Sequence, residues 1–157
     1  MQHKEESCME IRELFYEQDQ TYWIEKIRNS DWSAGELLAN MLQDDTFFDF
    51  AGEGAKILLL TEGENLVSYC TFAPMDDIKQ TELTPWIGFV YTYPEYRGHR
   101  HFGKLMAHAE EMARQQGKEY TYISTGHTEV YEKYGYEHYT NLPNVGGTVS
   151  RVYRKKL

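Results

Sequence analysis

Alternating apolar and polar positions divide the N-terminal half of the chain into short predicted elements. The pattern predicts a strand over residues 9–16 and a short helix over residues 22–27. Ser33 is followed three residues later by Glu36, a capping box that marks the start of a second helix. We expect the buried face of this helix to consist of Leu37, Leu38, Met41 and Leu42.

The next segment has the pattern of a connection followed by a hairpin. Phe47, Phe48 and Phe50 lie in an aromatic, acidic stretch that we interpret as a connection running through Gly54. Two apolar runs, residues 56–60 and 66–72, are separated by turn residues and predict an antiparallel hairpin. The polar segment that follows, residues 75–82, is predicted to be a loop.

The C-terminal half is organised around one buried strand, residues 86–92, and the helix that follows it. That helix is indicated by apolar residues at helical spacing, and Gly117 should end it. Further predicted elements are a strand over 120–124, a short helix over 128–134 closed by Gly135, and strands over 136–139 and 147–154. The order of elements predicts a mixed α/β sheet in a single domain over residues 1–157.

Composition limits the class of partner. The chain has 157 residues and a net charge of -9, with an isoelectric point near 5.1. An acidic protein is a poor ligand for nucleic acid or an anionic membrane surface, so we expect neither as a partner. The charge is compatible with a cationic small molecule such as an amine, and equally with a solvated acidic surface.

The cysteines and the N-terminus bear on the cellular compartment. Cys8 and Cys70 have no metal-binding or redox spacing, and Cys70 falls in an apolar strand, where it should be a small core residue. The first six residues lack the apolar core of a signal peptide, and no apolar run approaches the roughly 20 residues needed to span a bilayer. We therefore expect a cytoplasmic protein.

A basic turn, residues 97–104, joins the central strand to the long helix. It contains Arg97, Arg100 and Lys104, and no acidic residue lies between Arg97 and Ala109. A helix N-terminus attracts anions because its first amides are unpaired and the helix dipole is positive there. In an acidic chain this local charge predicts a phosphate-bearing ligand, although a solvated basic face is the alternative.

Two nucleotide-binding motifs can be compared with the basic turn. From Gly98 to Gly103-Lys104 the spacing is that of a P-loop, but Leu105 stands where the P-loop needs a Ser or Thr hydroxyl for Mg²⁺. The glycine spacing also differs from the Rossmann fingerprint. Nucleotide hydrolysis and dinucleotide binding are therefore disfavoured.

The turn resembles the acetyl-CoA motif of the GNAT acetyltransferase superfamily, Arg/Gln-x-x-Gly-x-Gly/Ala. Arg97 and Gly98 align with it, as do Leu105-Met106 and Ala109-Glu110 downstream, and the preceding Pro94-Glu95-Tyr96 also looks like the family. The stretch from Val130 to Tyr136 is similar to the family's second signature. The resemblance implies a three-layer α+β fold with a central mixed, mostly antiparallel sheet flanked by helices. It implies transfer of an acetyl group from acetyl-CoA to an amine of a small molecule or peptide, and it leaves a homodimer open.

Two positions depart from the motif, because Arg100 and Phe102 stand where the family has its two small residues. An arginine at the first position could add a contact to the pyrophosphate. Phe102 also fits the apolar face of the following helix, so we expect its ring to point into the core. Gly103, one place later, could relieve the crowding.

The resemblance also implies roles for individual residues. Backbone amides of the turn should hold the pyrophosphate, and the edge of the central strand should pair with the pantetheine arm like an added strand. His99 and His101 are expected to face solvent rather than to act in catalysis. The implied acetyl-CoA contacts are Val90, Tyr91, Thr92, Arg97, Gly98, His99, Arg100, His101, Phe102, Gly103 and Lys104.

The catalytic assignment rests on Tyr131. In the family the matching tyrosine protonates the CoA thiolate, and a phenol with a pKa of about 10 is protonated at neutral pH. The alternative is a core aromatic residue, which we consider the better interpretation for Tyr134. His127 could orient the site or face solvent.

The base and the acceptor pocket are not fixed by the sequence. Asp76, Asp77 and Glu82 are candidates for the base, with ordinary loop charges as the alternative. Four aromatic residues fall where the family's acceptor pocket forms, although helix packing could also explain them: Trp32, Phe47, Phe48 and Phe50. A non-catalytic acyl-CoA-binding module therefore remains the competing functional class.

Overall fold

A single sheet of seven strands forms the centre of the computed structural model, which describes residues 8–157. The expectation about a signal peptide in the first six residues lies outside this range. The strands lie in the order β1-β2-β3-β4-β5-β7-β6. Their bounds are β1 Met9–Glu13, β2 Lys56–Glu62, β3 Asn65–Ala73, β4 Trp86–Thr92, β5 Tyr120–Thr125, β6 Glu137–Pro143 and β7 Val149–Lys156.

Strand β4 occupies the middle of the sheet and has a different relation to each neighbour. It is antiparallel to β3 and parallel to β5, and all other neighbouring strands are antiparallel. The predicted hairpin is confirmed as β2 and β3, which are joined through Gly63 and Glu64. The parallel step from β4 to β5 requires a crossover, and the long helix provides it.

Helices cover both faces of the sheet. Helix α4 packs on one face against β2, β3, β4 and β5, while α2 contacts β4 from the other face together with α1 and α3. The predicted mixed, mostly antiparallel sheet between two helical layers is therefore confirmed. The helices are α1 Gln20–Arg28, α2 Ser33–Gln43, α3 Phe47–Ala51 and α4 Phe102–Gln115.

The alternation of side chains along the central strands creates a separate core on each face. On the α4 side, Leu58, Cys70 and Ile87 pack against Leu105 and Ala109. On the side of α1 to α3, the next residues along the same strands face the other way and pack there, including Ile57, Leu59, Tyr69 and Tyr91. Cys70 is a buried free thiol, as expected, and Cys8 is also free.

The capping box predicted for α2 is wrong. The N-cap residue is Trp32, whose side chain makes no capping bond, and the helix already includes Ser33. Leu37, expected in the buried face, is 52% exposed, whereas Leu38 and Ala39 are fully buried. Because Leu38 and Ala39 pack into the core, the helix is rotated about its axis so that Leu37 faces outward.

Three further segments differ from the prediction in the type of secondary structure that they form. Strand β1 ends at Glu13, and a 3₁₀ turn follows it over Leu14–Tyr16. The aromatic segment predicted as a connection is helix α3, because burial of Phe47 orders it. Residues 128–134 form no full helix: only Glu132–Tyr134 is a 3₁₀ turn, which Gly135 ends in the left-handed conformation as expected.

Among residues 8–157, no helix has the length and apolarity needed to cross a membrane.

Candidate active site

An irregularity in β4 opens the sheet at its centre. Tyr69 pairs with Tyr91 and Thr71 pairs with Gly88, so β4 contains one residue more than β3 between these pairs. This β-bulge contains Phe89, which has a φ of 48°. A bulge bends its strand and increases the local twist. On the opposite edge, β4 and β5 share one registered pair within the described residues, Trp86 with Tyr122, and then separate.

The separation of β4 from β5 leaves a cleft of about 510 Å³ between them. Backbone groups of β4 beyond Ile87 therefore face the cleft and have no strand partner on this side in residues 8–157. The predicted contact residues Val90, Tyr91 and Thr92 line one wall, and Tyr131 lines the other. Trp32, Arg97 and His127 also line the cleft. The lining residues that were not predicted are Asp31, Ile87, Gly88, Phe89, Ile123, Ser124, Thr125 and Gly126.

A second cavity of about 270 Å³ adjoins the cleft at the basic turn. Thr92 and Arg97 line both spaces, which makes them the boundary between cleft and turn. The turn is not a direct link from strand to helix, because a 3₁₀ turn over Pro94–Tyr96 precedes it. The other residues lining the turn cavity are Tyr96, Gly98, Arg100, His101, Phe102, Lys133 and Tyr134.

Two arginines of the turn have unusual local conformations. Arg97 folds back over β4: its Nε donates to the Thr92 carbonyl oxygen at 2.8 Å, and its guanidinium carbon lies 5.3 Å from the Tyr91 ring centre. Arg100 has a φ of 56°, which costs a non-glycine residue about 1–2 kcal/mol. This conformation explains why a glycine suits that position, and the arginine occupies it in spite of the strain.

The free amides of the turn are fewer than the sequence suggested. Gly103 and Lys104 donate their amides to the carbonyls of Arg100 and His101, both at 3.0 Å. Within the described part of the chain, no backbone or side-chain acceptor is assigned to the amides of residues 98–102. Any anion held by backbone amides would therefore contact residues 98–102 first.

Phe102 belongs to the core rather than to the open face of the turn. Its side chain is 7% exposed and packs in the α4 core with Leu105 and Met106. Its ring meets the Tyr134 ring edge-on at 6.3 Å. A Cβ at Gly103 would lie 3.3 Å from Tyr134, so a larger residue there would press on this ring. Gly103 is thus the position at which the absence of a side chain leaves room for the Tyr134 ring, while Phe102 points inward.

Tyr131 is a buried phenol at the wall of the cleft. It is 8% exposed and packs with the α4 core, its ring 6.4 Å from that of Tyr136. Burial, and to a lesser degree the nearby Cys70 and Tyr134, raise the pKa of Tyr131 to about 12. The phenol is therefore a proton donor across the whole neutral range.

The four aromatic residues predicted for an acceptor pocket divide into two groups. Trp32 lines the cleft and stacks on Tyr91, with ring centres 5.5 Å apart and planes at 15°. Phe50 adjoins it through Phe89, whose ring lies 5.8 Å away. Phe47 and Phe48 instead pack with Phe15 around a different cavity, remote from Tyr131.

The three acidic residues before β4 lie in different environments. Glu82 is exposed, Asp77 is half-buried, and Asp76 is 7% exposed. Desolvation, followed by the charge of Asp77, raises the pKa of Asp76 to about 7. A side chain on Gly88 would collide with Asp76 Oδ1, so the carboxylate lies directly against β4. An isolated glycine inside an apolar strand was the signal for such a close approach.

The three histidines of the site differ in exposure, and the expectation that His101 faces solvent is wrong in part. His99 is exposed, whereas His101 is half-buried, with burial and the charge of Lys104 lowering its pKa. His127 is exposed and lines the cleft beyond Tyr131. Among residues 8–157, no three or more His, Cys, Asp or Glu side chains are grouped so as to hold a metal ion.

Comparison with known families agrees with this geometry. Residues 43–139 match the family model for the acetyltransferase (GNAT) domain. This range includes the bulged strand, the basic turn, α4 and Tyr131. The chain belongs to the GNAT acetyltransferase family. Comparison with curated protein sequences gave no significant match.

Solved structures share the fold over nearly their whole length. An acetyltransferase from Streptococcus agalactiae superposes with a TM-score of 0.65 at 24% identity, covering 95% of this chain and 98% of the other. The aminoglycoside 6'-acetyltransferase type Ii gives 0.68 at 17% identity, covering 94% and 96%. A GNAT family acetyltransferase from Elizabethkingia anophelis with acetyl-CoA bound gives 0.64 at 13%, covering 97% and 100%.

Proposed function

We propose that this acetyltransferase moves the acetyl group of acetyl-CoA to a primary amine, and that the reaction takes place in the cleft between β4 and β5. One observation carries the proposal: the basic turn, the unpaired edge of β4 and Tyr131 surround two adjoining cavities. A long ligand with phosphates at one end and a thioester at the other matches this order of groups.

The binding half of the proposal uses the turn and the strand edge. The pyrophosphate would be held by the amides of residues 98–102, with the cations of Arg97, Arg100 and Lys104 around it. The pantetheine arm carries amide groups, which can pair with the open edge of β4 as an additional strand does. Arg97 would exchange its bond to the Thr92 carbonyl for a phosphate contact.

The chemical half of the proposal assigns Tyr131 as the general acid. Attack by the amine nitrogen on the acetyl carbonyl forms the C–N bond, and the C–S bond then breaks. The departing sulfur takes the phenolic proton of Tyr131. Burial disfavours a free thiolate as well as a phenolate, so the proton transfers while negative charge develops on sulfur.

The test is amine-dependent release of CoA thiol from acetyl-CoA, measured across a panel of small amines and amine-bearing peptides. We expect at least one amine to raise thiol release well above the rate in buffer alone. The competing function, an acyl-CoA-binding module, predicts acetyl-CoA binding by calorimetry with no amine-dependent release. The aromatic and acidic lining around Trp32 and Asp31 favours cationic acceptors over neutral ones.

Removing two turn cations should weaken acetyl-CoA binding. In the double variant Arg97→Ala/Arg100→Ala we expect the Kd from calorimetry to rise more than about tenfold, because each charge-assisted phosphate bond contributes about 1.5–3 kcal/mol. Arg114→Ala is the matched control, since Arg114 is an exposed cation at the far end of α4. An unchanged Kd in a folded double variant would remove the turn from the site.

A further inference from the structure

A buried carboxylate, that of Asp76, lies beside the cleft. Asp76 lies in the loop between β3 and β4, and its Oδ1 fills the notch left by the absent side chain of Gly88. A Cβ at Gly88 would also lie 3.1 Å from Thr71 Oγ1, a buried hydroxyl with no partner among the described residues. Buried polar atoms are rarely left without partners, so the unpaired Thr71 hydroxyl marks this notch as an unusual polar site.

The notch lies on the opposite face of the sheet from Tyr131. Thr71 pairs with Gly88, and its neighbours two residues away, Tyr69 and Ala73, pack in the core of α1 to α3. Tyr131 packs in the core of α4. Gly88 itself lines the cleft. Asp76 and Tyr131 therefore approach the gap between β4 and β5 from its two sides.

Asp76 shares its face of the sheet with the aromatic wall of the cleft. Trp32, Phe89 and Tyr91 all pack on the α1 to α3 side. An amine that enters along this wall would approach the carboxylate from its own face, with Gly88 between the cleft and Asp76, and the thioester would lie toward Tyr131. The alternative carboxylate Glu82 is exposed.

We propose that Asp76 is the proton acceptor for the attacking amine, an assignment that rests on the proposed function. As the C–N bond forms, the amine nitrogen becomes positively charged, and one of its N–H protons passes to a carboxylate oxygen of Asp76. The C–S bond then breaks, and sulfur takes the proton of Tyr131. Asp76 then loses the proton that it accepted, and Tyr131 regains the proton that it donated, directly or through water.

The charges around the notch suit this role. Burial is the largest influence that raises the pKa of Asp76, and the charge of Asp77 raises it further. A hydrogen bond with the Asp77 backbone and the charge of Lys79 lower it. The Asp76 charge is also among the influences that raise the pKa of Tyr131, so the two groups lie within electrostatic range of each other. A carboxylate whose pKa lies near neutrality is a better proton acceptor than an exposed one.

The experiment measures the pH profile of kcat/KM with the best amine of the panel. In the parent enzyme we expect activity to rise with pH as Asp76 loses its proton. Asp76→Asn should lower kcat about 10²-fold or more and abolish this rise of activity with pH. Its acetyl-CoA affinity should stay within about twofold of the parent value. Asp49→Asn, which removes an exposed carboxylate from α3, is the matched control and should behave as the parent.

A second variant keeps the assignment testable if Asp76→Asn does not fold. Asp77→Asn removes a negative charge that raises the pKa of Asp76, so the rise of activity should occur at lower pH than in the parent. The maximal rate should be largely kept. The assignment is overturned if activity rises at the parent pH in Asp77→Asn, or if a folded Asp76→Asn keeps the parent pH dependence of kcat/KM. If no amine elicits thiol release from the parent, the proposed function fails and the assignment with it.

Discussion

Replacing Tyr131 with Phe is expected to lower the rate of acetyl transfer by about 10²–10⁴-fold, with acetyl-CoA affinity nearly unchanged. The substitution keeps the ring that packs in the α4 core and removes only the hydroxyl. Because the hydroxyl is proposed to act on the departing sulfur, its loss should affect the transition state and not the bound ground state. The phenol is fully protonated at neutral pH, so this loss should be similar from pH 6 to 9.

The measurement is single-turnover acetyl transfer, which isolates the chemical step, together with calorimetry of acetyl-CoA binding. Tyr134→Phe is the matched control: Tyr134 lines the turn cavity and not the cleft, so its variant should transfer acetyl groups at close to the parent rate. A Tyr131→Phe enzyme with the parent single-turnover rate would contradict the assignment. Water or another residue would then protonate the thiolate, and His127 on the cleft wall would be the next to test.

The second large effect is on stability. Phe102→Ala is expected to lower the free energy of unfolding by about 3–5 kcal/mol, as truncation of a buried aromatic ring does. The ring is buried between Leu105, Met106 and Tyr134, and its removal leaves a cavity at the start of α4. Denaturant unfolding monitored by circular dichroism measures the loss.

Phe48→Ala is the control for this substitution, because its ring is 47% exposed and its truncation should cost much less. The alternative interpretation of Phe102 places its ring in the path of the phosphates. In that case Phe102→Ala would unfold at the parent denaturant concentration and bind acetyl-CoA more tightly. A stable variant that also binds acetyl-CoA more tightly would show that the ring obstructs the ligand.

The fold was predictable where a regular pattern of apolar residues was followed directly by a turn residue. The hairpin of β2 and β3 and the helix α4 belong to this class, because continuous apolar runs are bounded by turn residues such as Gly63 and Gly117. Gly117 has a φ of 77°, which is the left-handed conformation that ends a helix. The two strands are buried on both faces and α4 is buried on one, so local pattern and tertiary packing favour the same structure.

Prediction failed where packing overrode local chemistry. Ser33 has the side chain of a capping residue, but the burial of Leu38 and Ala39 sets the start and rotation of α2. Phe47 orders a helix in a segment whose acidic composition is typical of a connection. In residues 128–134, Glu129 has a φ of 62°, which interrupts any continuous helix.

The candidate site was predictable in its sequence-local parts. Residues 97–104 and Tyr131 could be selected from motifs. Tyr131 and five residues of the turn line adjoining cavities, the five being Arg97, Gly98, Arg100, His101 and Phe102. The bulge at Phe89 and the separation of β4 from β5 depend on pairing between distant strands, which no local pattern encodes. The choice of Asp76 over Glu82 likewise depends on burial against Gly88.

The most direct test of the account follows the acetyl group itself. The parent enzyme is incubated with acetyl-CoA that carries an isotopic label in the acetyl group, together with the amine that gives the fastest thiol release. Mass spectrometry then locates the label. The account predicts labelled N-acetyl amine in the same amount as free CoA thiol, whereas label retained on CoA, or released as free acetate, would contradict it.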